Sequence, residues 1–149
     1  MTQNARAFNW DSIPVKTATT ANPAAGAQPP TITVAAATRM KFYGFRFSVV
    51  TDANVANRTV YVSIAPDGAN TIYYSLASNQ PESTTHYYNL AVARSTTEIL
   101  VGTSHYIGVS AGTDGIDLSA GATIIVSIGT IQVGDDATAI TYFYKEAPA

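Results

Sequence analysis

After Thr31 the chain alternates apolar and polar residues over most of its length. In 41–51 (KFYGFRFSVVT), Tyr43, Phe45, Phe47 and Val49 fall on one face, and Gly44, Arg46 and Ser48 on the other. Period two with aromatic and β-branched residues predicts a half-buried strand. Residues 58–65 repeat it, with Val60, Val62 and Ile64 inward and Thr59, Tyr61 and Ser63 outward. The same pattern places Ile72, Tyr74 and Leu76 inside in 71–76, and Tyr88, Leu90 and Val92 inside in 86–93. It continues with Ile124, Val126 and Ile128 in 123–131, and with Ile140, Tyr142 and Tyr144 in 137–145. Weaker alternation marks 31–36, 98–101 and 104–109.

Turn chemistry separates these runs. Pro66-Asp67-Gly68-Ala69-Asn70 predicts a short hairpin loop, and Val133-Gly134-Asp135-Asp136 a turn joining the last two strands. Thr113-Asp114-Gly115 and Ser119-Ala120-Gly121 are further turns. No stretch keeps an apolar face at helical spacing over three turns. Roughly eight strands and no helix predict an all-β chain: a two-sheet antiparallel β-sandwich, jelly-roll or another Greek key.

Residues 1–30 differ. Pro14, Pro23, Pro29 and Pro30 lie here, four of the seven prolines. Proline fixes φ and removes a backbone donor, so the segment cannot be a central strand. It reads as an extended N-terminal arm, with the β-sandwich domain over 31–149. Yet the arm holds the single Trp, as Phe8, Trp10 and Ile13 stand close together. The arm is therefore either a loose terminus or a segment that orders on a partner, with Trp10 as anchor.

Composition narrows the function. Charged residues make up 12% of the chain, about half the usual share of ~25%. A net charge of −2 offers no footprint for nucleic acid and no polybasic segment for an anionic membrane. With no cysteine, disulfides, thiolate catalysis and cysteine-based zinc sites are excluded. Residues 1–16 lack the apolar run of a secretory signal, which predicts synthesis in a cytoplasm. The apolar stretch 122–128 falls far short of the ~20 residues that span a bilayer.

Candidate chemistry is thin. Gly108-Val109-Ser110-Ala111-Gly112 spells the G-x-S-x-G nucleophile elbow. A turn follows it rather than a helix, and both histidines, His86 and His105, precede the serine instead of following it. Each histidine reads as a surface or sheet-face residue, and their spacing makes no zinc site. Asp114 with Asp117, and Asp135 with Asp136, read as turn carboxylates rather than a calcium loop or an acid/base pair. Arg58, after a polar loop, is expected to pair with an acidic turn such as Asp52 or Asp135. The expectation is no enzyme, no cofactor and no metal.

Tyrosine is the unusual residue, with nine copies. Neighbours on a strand face opposite sides, so one of Tyr73/Tyr74 and one of Tyr87/Tyr88 points outward. Outward Tyr73, His86 or Tyr87, with Tyr61 and Phe143 on other strands, would leave aromatic surface uncovered. Subunit packing is the commoner use of such surface; sugar-binding platforms are another.

Three stretches carry a resemblance. The aromatic strand after Arg39 leads into Thr51-Asp52-Ala53-Asn54-Val55-Ala56-Asn57-Arg58 and then Val60-Tyr61-Val62-Ser63-Ile64. Asp117-Leu118-Ser119-Ala120-Gly121-Ala122-Thr123-Ile124 and Ile131-Gln132-Val133-Gly134-Asp135-Asp136 follow in order. Together, over about residues 39–146, they resemble small virion proteins of tailed bacteriophages, with a T-D-A-x-V-A-N-R turn, an L-x-A-G-x-x-I stretch and an I-Q-x-G-D turn. The resemblance implies a capsid decoration or cement protein, a homotrimer on the capsid surface bracing the major capsid protein. A head-to-tail or tail component is the second reading, and a sugar-binding module the third.

Overall fold

The computed structural model describes residues 9–69, 71–75, 79–93, 97–110 and 114–149; the side chains of 72–75, 93, 97–98 and 109–110 are also outside the description. Among the described residues every regular element is a strand: β1 (Lys16–Thr19), β2 (Ile32–Thr33), β3 (Thr38–Val50), β4 (Val60–Ala65), β5 (Ile72–Ser75), β6 (Thr85–Ala93), β7 (Thr97–Val101), β8 (Ser104–Ser110), β9 (Ile116–Leu118), β10 (Thr123–Ile128), β11 (Asp136–Ala137) and β12 (Thr141–Pro148). They form two sheets. Sheet A runs β1-β12-β3-β6-β8-β7, with β9 and β11 also on β3; sheet B runs β2-β10-β4-β5.

One hydrophobic cluster joins the sheets. Phe42, Phe45, Phe47, Tyr88 and Leu90 of sheet A share it with Val60, Val62, Ile64, Ile124, Val126 and Ile128 of sheet B. Apart from Phe42, alternation puts these side chains on one face of each strand, as the sequence predicts. The predicted inward positions Ile72, Tyr74 and Leu76 lie outside the described side chains.

Three features depart from the sequence expectations. First, the pairing is not antiparallel throughout, because β6 and β8 run parallel while β7 pairs antiparallel with β8. The edge strand β7 comes before β8 in the chain, and β8 then fills the space between β6 and β7 in the direction of β6. Second, the turn at 133–136 does not close a hairpin. It carries the chain from β10 in sheet B to β11 and β12 in sheet A.

Third, the aromatic strand changes phase. Phe143 pairs with Gly44 and Tyr144 with Phe42, which leaves Tyr43 as the extra residue of a β-bulge. Phe42 therefore joins Phe45 and Phe47 in the core, and Tyr43 turns away from it. Gly44 sits at φ 155°, and a Cβ there would lie 2.1 Å from the Leu90 carbonyl oxygen. A second phase of alternation begins at this glycine, and no period-two reading could carry across it.

The prolines of 1–30 do not keep the whole stretch apart. β1 is an edge strand on β12, with Lys16 opposite Tyr144 and Thr19 opposite Thr141. Beyond it, the Thr20 amide donates to the Ile140 carbonyl and the Gly26 amide to the Asp135 carbonyl. Gln28 both donates to the Ile128 carbonyl (2.8 Å) and accepts from the Ile128 amide (2.7 Å), continuing the edge of β10 with a side chain. An edge strand and a side-chain cap are the roles that proline leaves open.

Two outcomes follow for stability. Gly44→Ala is expected to lower it by about 2–3 kcal/mol in urea titration, since strand and Leu90 must separate. Removing residues 1–15 should leave the melting temperature close to that of the full chain. Removing 1–30 should depress it clearly, by stripping β1 and Gln28 from the sheets.

Candidate functional site

The most connected polar site centres on Arg58, which is 0% exposed. Its Nε and Nη2 donate to Asp135 Oδ2 and Oδ1, both at 2.9 Å, a bidentate pair. Nη2 also donates to Asp52 Oδ1 (2.6 Å), and Nη1 to the carbonyls of Asn54 (2.6 Å) and Ala56 (3.3 Å). All five guanidinium hydrogens thus have an acceptor. Asp135 accepts two further bonds, from the backbone N–H of Asp52 (2.9 Å) and of Gln132 (2.8 Å). Burial by itself would raise the Asp135 carboxyl, but the Arg58 hydrogen bonds and then those two amides hold it below the usual range. Arg58 is pushed up, chiefly by its hydrogen bond to Asp135.

The network extends along the backbone. The Gln80 amide donates to the Arg58 carbonyl, and Gln80 Nε2 to the Val49 carbonyl (2.8 Å). Tyr88 Oη donates to Gln80 Oε1 (3.1 Å). Gly134 has no room for a side chain, since a Cβ would lie 2.8 Å from Asp52. The sequence expectation offered Asp52 or Asp135 as the partner of Arg58; it holds both.

A second cluster stands at the other end of β3. Lys41, nearly buried, donates to Asp114 Oδ2 (3.2 Å) and lies 3.5 Å from Asp117 Oδ1. Burial disfavours its charge, but the two aspartates outweigh that and raise it. The Trp10 ring covers Lys41, with Nζ 5.8 Å from its centroid, and the Trp10 carbonyl accepts from Lys145 Nζ (2.9 Å). Trp10 and Ile13 are half-buried and joined by a turn; Phe8 lies outside the described residues. Trp10, Lys41 and Arg39 line a groove of about 950 Å³ together with Asp11, Asp67, Asp114 and Asp117, so carboxylates outnumber cations there four to two. Asp114 and Asp117 are therefore engaged by a lysine. Among the described residues no group of three His, Asp or Glu could hold a metal.

The histidines meet. His86 Nδ1 and His105 Nε2 are 2.7 Å apart in the interior, and Tyr88 stacks on His105 at 4.5 Å. The reading of surface or sheet-face histidines is corrected for His86, which points inward and not outward. Parity could have shown it, because His86 shares a face with Tyr88, and His105 with Ile107.

The outward aromatics do not form one patch. Tyr87, 51% exposed, and the half-buried Phe143 lie on the outer face of sheet A. Tyr61, 44% exposed, belongs to sheet B. The Tyr73 side chain and the Ser110 hydroxyl lie outside the described side chains. Sheet A adds two residues that the sequence reading left out: Tyr106, exposed on β8, and Tyr43, turned outward by the bulge.

No protein-family model matches the chain, and no curated protein matches it at a significant level.

Arg58→Ala should cost about 3–5 kcal/mol, because Asp135 is left buried and unpaired. Arg58→Lys should recover little of it, since an ammonium cannot form the planar pair; chemical denaturation of both variants checks this. The histidine pair predicts a pH effect. Burial, and then the charge of His105, lower the His86 pKa from the ordinary 6.5. The unfolded chain then binds more protons than the native one just below that value, so stability is full above it and falls as pH drops toward the folded pKa. Urea midpoints from pH 7.5 to 5.5 should decline for the native sequence and flatten for His86→Gln.

Proposed function

We propose that this protein is a structural component of a tailed-phage virion, a capsid decoration protein that acts by binding and carries no catalysis. The observation behind this reading is the meeting of two resemblance stretches in one buried network. Arg58 closes the 51–58 loop, Asp135 closes the 131–136 turn, and each holds the other. The third stretch is fastened similarly, with Ser119 donating to the Pro66 carbonyl and the Gly121 amide to the Val34 carbonyl. Two short matches that hold each other, with the third fastened to neighbouring loops, support one module rather than three coincidences.

In this reading the two sheets form a β-sandwich of jelly-roll type, apart from the parallel β6–β8 pair. Charge is spent on holding loops, which suits a stiff brace. The arm, with Phe8, Trp10 and Ile13, reaches a neighbouring major capsid protein, and Trp10 exchanges its cover over Lys41 for that surface. Exposed aromatics serve contacts within a homotrimer on the capsid surface.

Purified protein added to undecorated phage shells tests this. Full-length protein should occupy the shells. Trp10→Ala should weaken attachment by at least about tenfold, with melting unchanged. A full-length chain that leaves shells bare, and stays monomeric in mass photometry at high concentration, would sink the reading.

A further inference from the structure

The outer face of sheet A carries a slot of about 710 Å³. Its floor is a row of minimal side chains in register across three strands, with Gly44 opposite Ala91 and Ala91 opposite Gly108. At the usual strand spacing that floor extends about 10 Å across the strands. The next row along the strands is tall: Arg46 opposite Asn89, Asn89 opposite Tyr106, Tyr106 opposite Ile99. Tyr43 and Phe143 close the end nearer β12. The bulge at Tyr43 and Gly44 makes the slot, since it lowers the floor and raises a wall in consecutive residues.

The chemistry of the lining selects the occupant. An extended peptide would press its backbone N–H and C=O groups onto a face whose own backbone groups are spent in the ladders. A second copy related by two-fold symmetry would set slot against slot and enclose a void. A pyranose ring brings an apolar C–H face for the rings of Tyr43, Tyr106 and Phe143, and an edge of hydroxyls for Asn89 and the tyrosine Oη. Charge adds the final condition. Among the described residues Arg46 is the one charged residue lining the slot, no carboxylate lines it, and no ion pair engages Arg46. Its guanidinium lies 5.9 Å from the Phe143 ring centroid, beside the aromatic end of the slot.

We propose that this slot binds a linear oligosaccharide of carboxylated sugars, with Arg46 on a carboxylate and the tyrosines under the rings. The site needs no capsid and stands independently of the decoration role.

The test is calorimetric titration of the full chain with short oligogalacturonate, and with cello-oligosaccharide of equal length as the neutral control. Oligogalacturonate is expected to bind with a Kd below about 1 mM, and the neutral chain at least about tenfold more weakly. Ala91→Leu, which raises the floor on an exposed position, should abolish binding, and Arg46→Gln should weaken it at least about tenfold with melting unchanged. In the unaltered protein, the amide resonances of Gly44, Ala91 and Gly108 should move on titration, which keeps the test valid should Ala91→Leu disturb the sheet. The proposal is overturned by no oligogalacturonate binding at millimolar concentration, by equal affinity for the neutral chain, or by shifts confined to other surfaces. A change of oligomeric state on Ala91→Leu would also overturn it, as the slot would then be a contact between copies.

Discussion

A guanidinium with no access to water must satisfy five hydrogens inside the protein, and that constraint shapes one whole end of this molecule. Arg58 draws in the 51–58 loop through two carbonyls and Asp52, and the 131–136 turn through both oxygens of Asp135. Both segments carry the chain between the sheets, from β3 to β4 and from β10 to β11. Isolated apolar faces would let such crossings wander. A planar charge with fixed donor directions does not, and the surrounding amides of Asp52 and Gln132 complete the carboxylate rather than leaving it half-solvated. Replacing such a pair by apolar residues can be neutral for stability, so its value here lies in fixing which loop meets which turn.

The economy of charge has the same origin. Lys41, Arg58, Asp114, Asp117 and Asp135 are all committed to internal or half-internal pairs. With 12% charged residues in the chain, few remain to cover the sheets. The outer face of sheet A around the slot is consequently written in Tyr, Phe, Ile, Asn, Ala and Gly, with Arg46 among them. A face of that kind is suited to ligands that are themselves half apolar and half hydroxylated.

Much of the fold was legible because alternation is a local signal. The strands around Val60–Ile64, Tyr88–Leu90 and Ile124–Ile128 announce both their position and their inner face. Arg58 and its two candidate aspartates were legible too, since a cation beside polar loops in a charge-poor chain has few partners. Other features are not local. The bulge at Gly44 depends on the Leu90 carbonyl, β1 exists only because β12 passes beside it, and the parallel β6–β8 pair depends on β7 taking the edge first. The slot was illegible for the same reason: Gly44, Ala91 and Gly108 are far apart in sequence and become neighbours only through register. His86 and His105 are a milder case, since parity could have placed each inside although the reading set His86 outward, and only the β6–β8 pairing sets them side by side.

The pairing of β1 with β12 joins segments more than a hundred residues apart, with Lys16 opposite Tyr144. On a ribosome β1 is made more than a hundred residues before its partner. The β1 edge of sheet A therefore closes late, and closure carries the entropy of a loop of more than a hundred residues. Until then the early segment must wait without pairing elsewhere. Its prolines at 14, 23, 29 and 30 interrupt the backbone donors on either side of the eight-residue run 15–22, which limits how far another nascent chain can pair with it. The composition that made it look like a free arm is also what protects it while it is one.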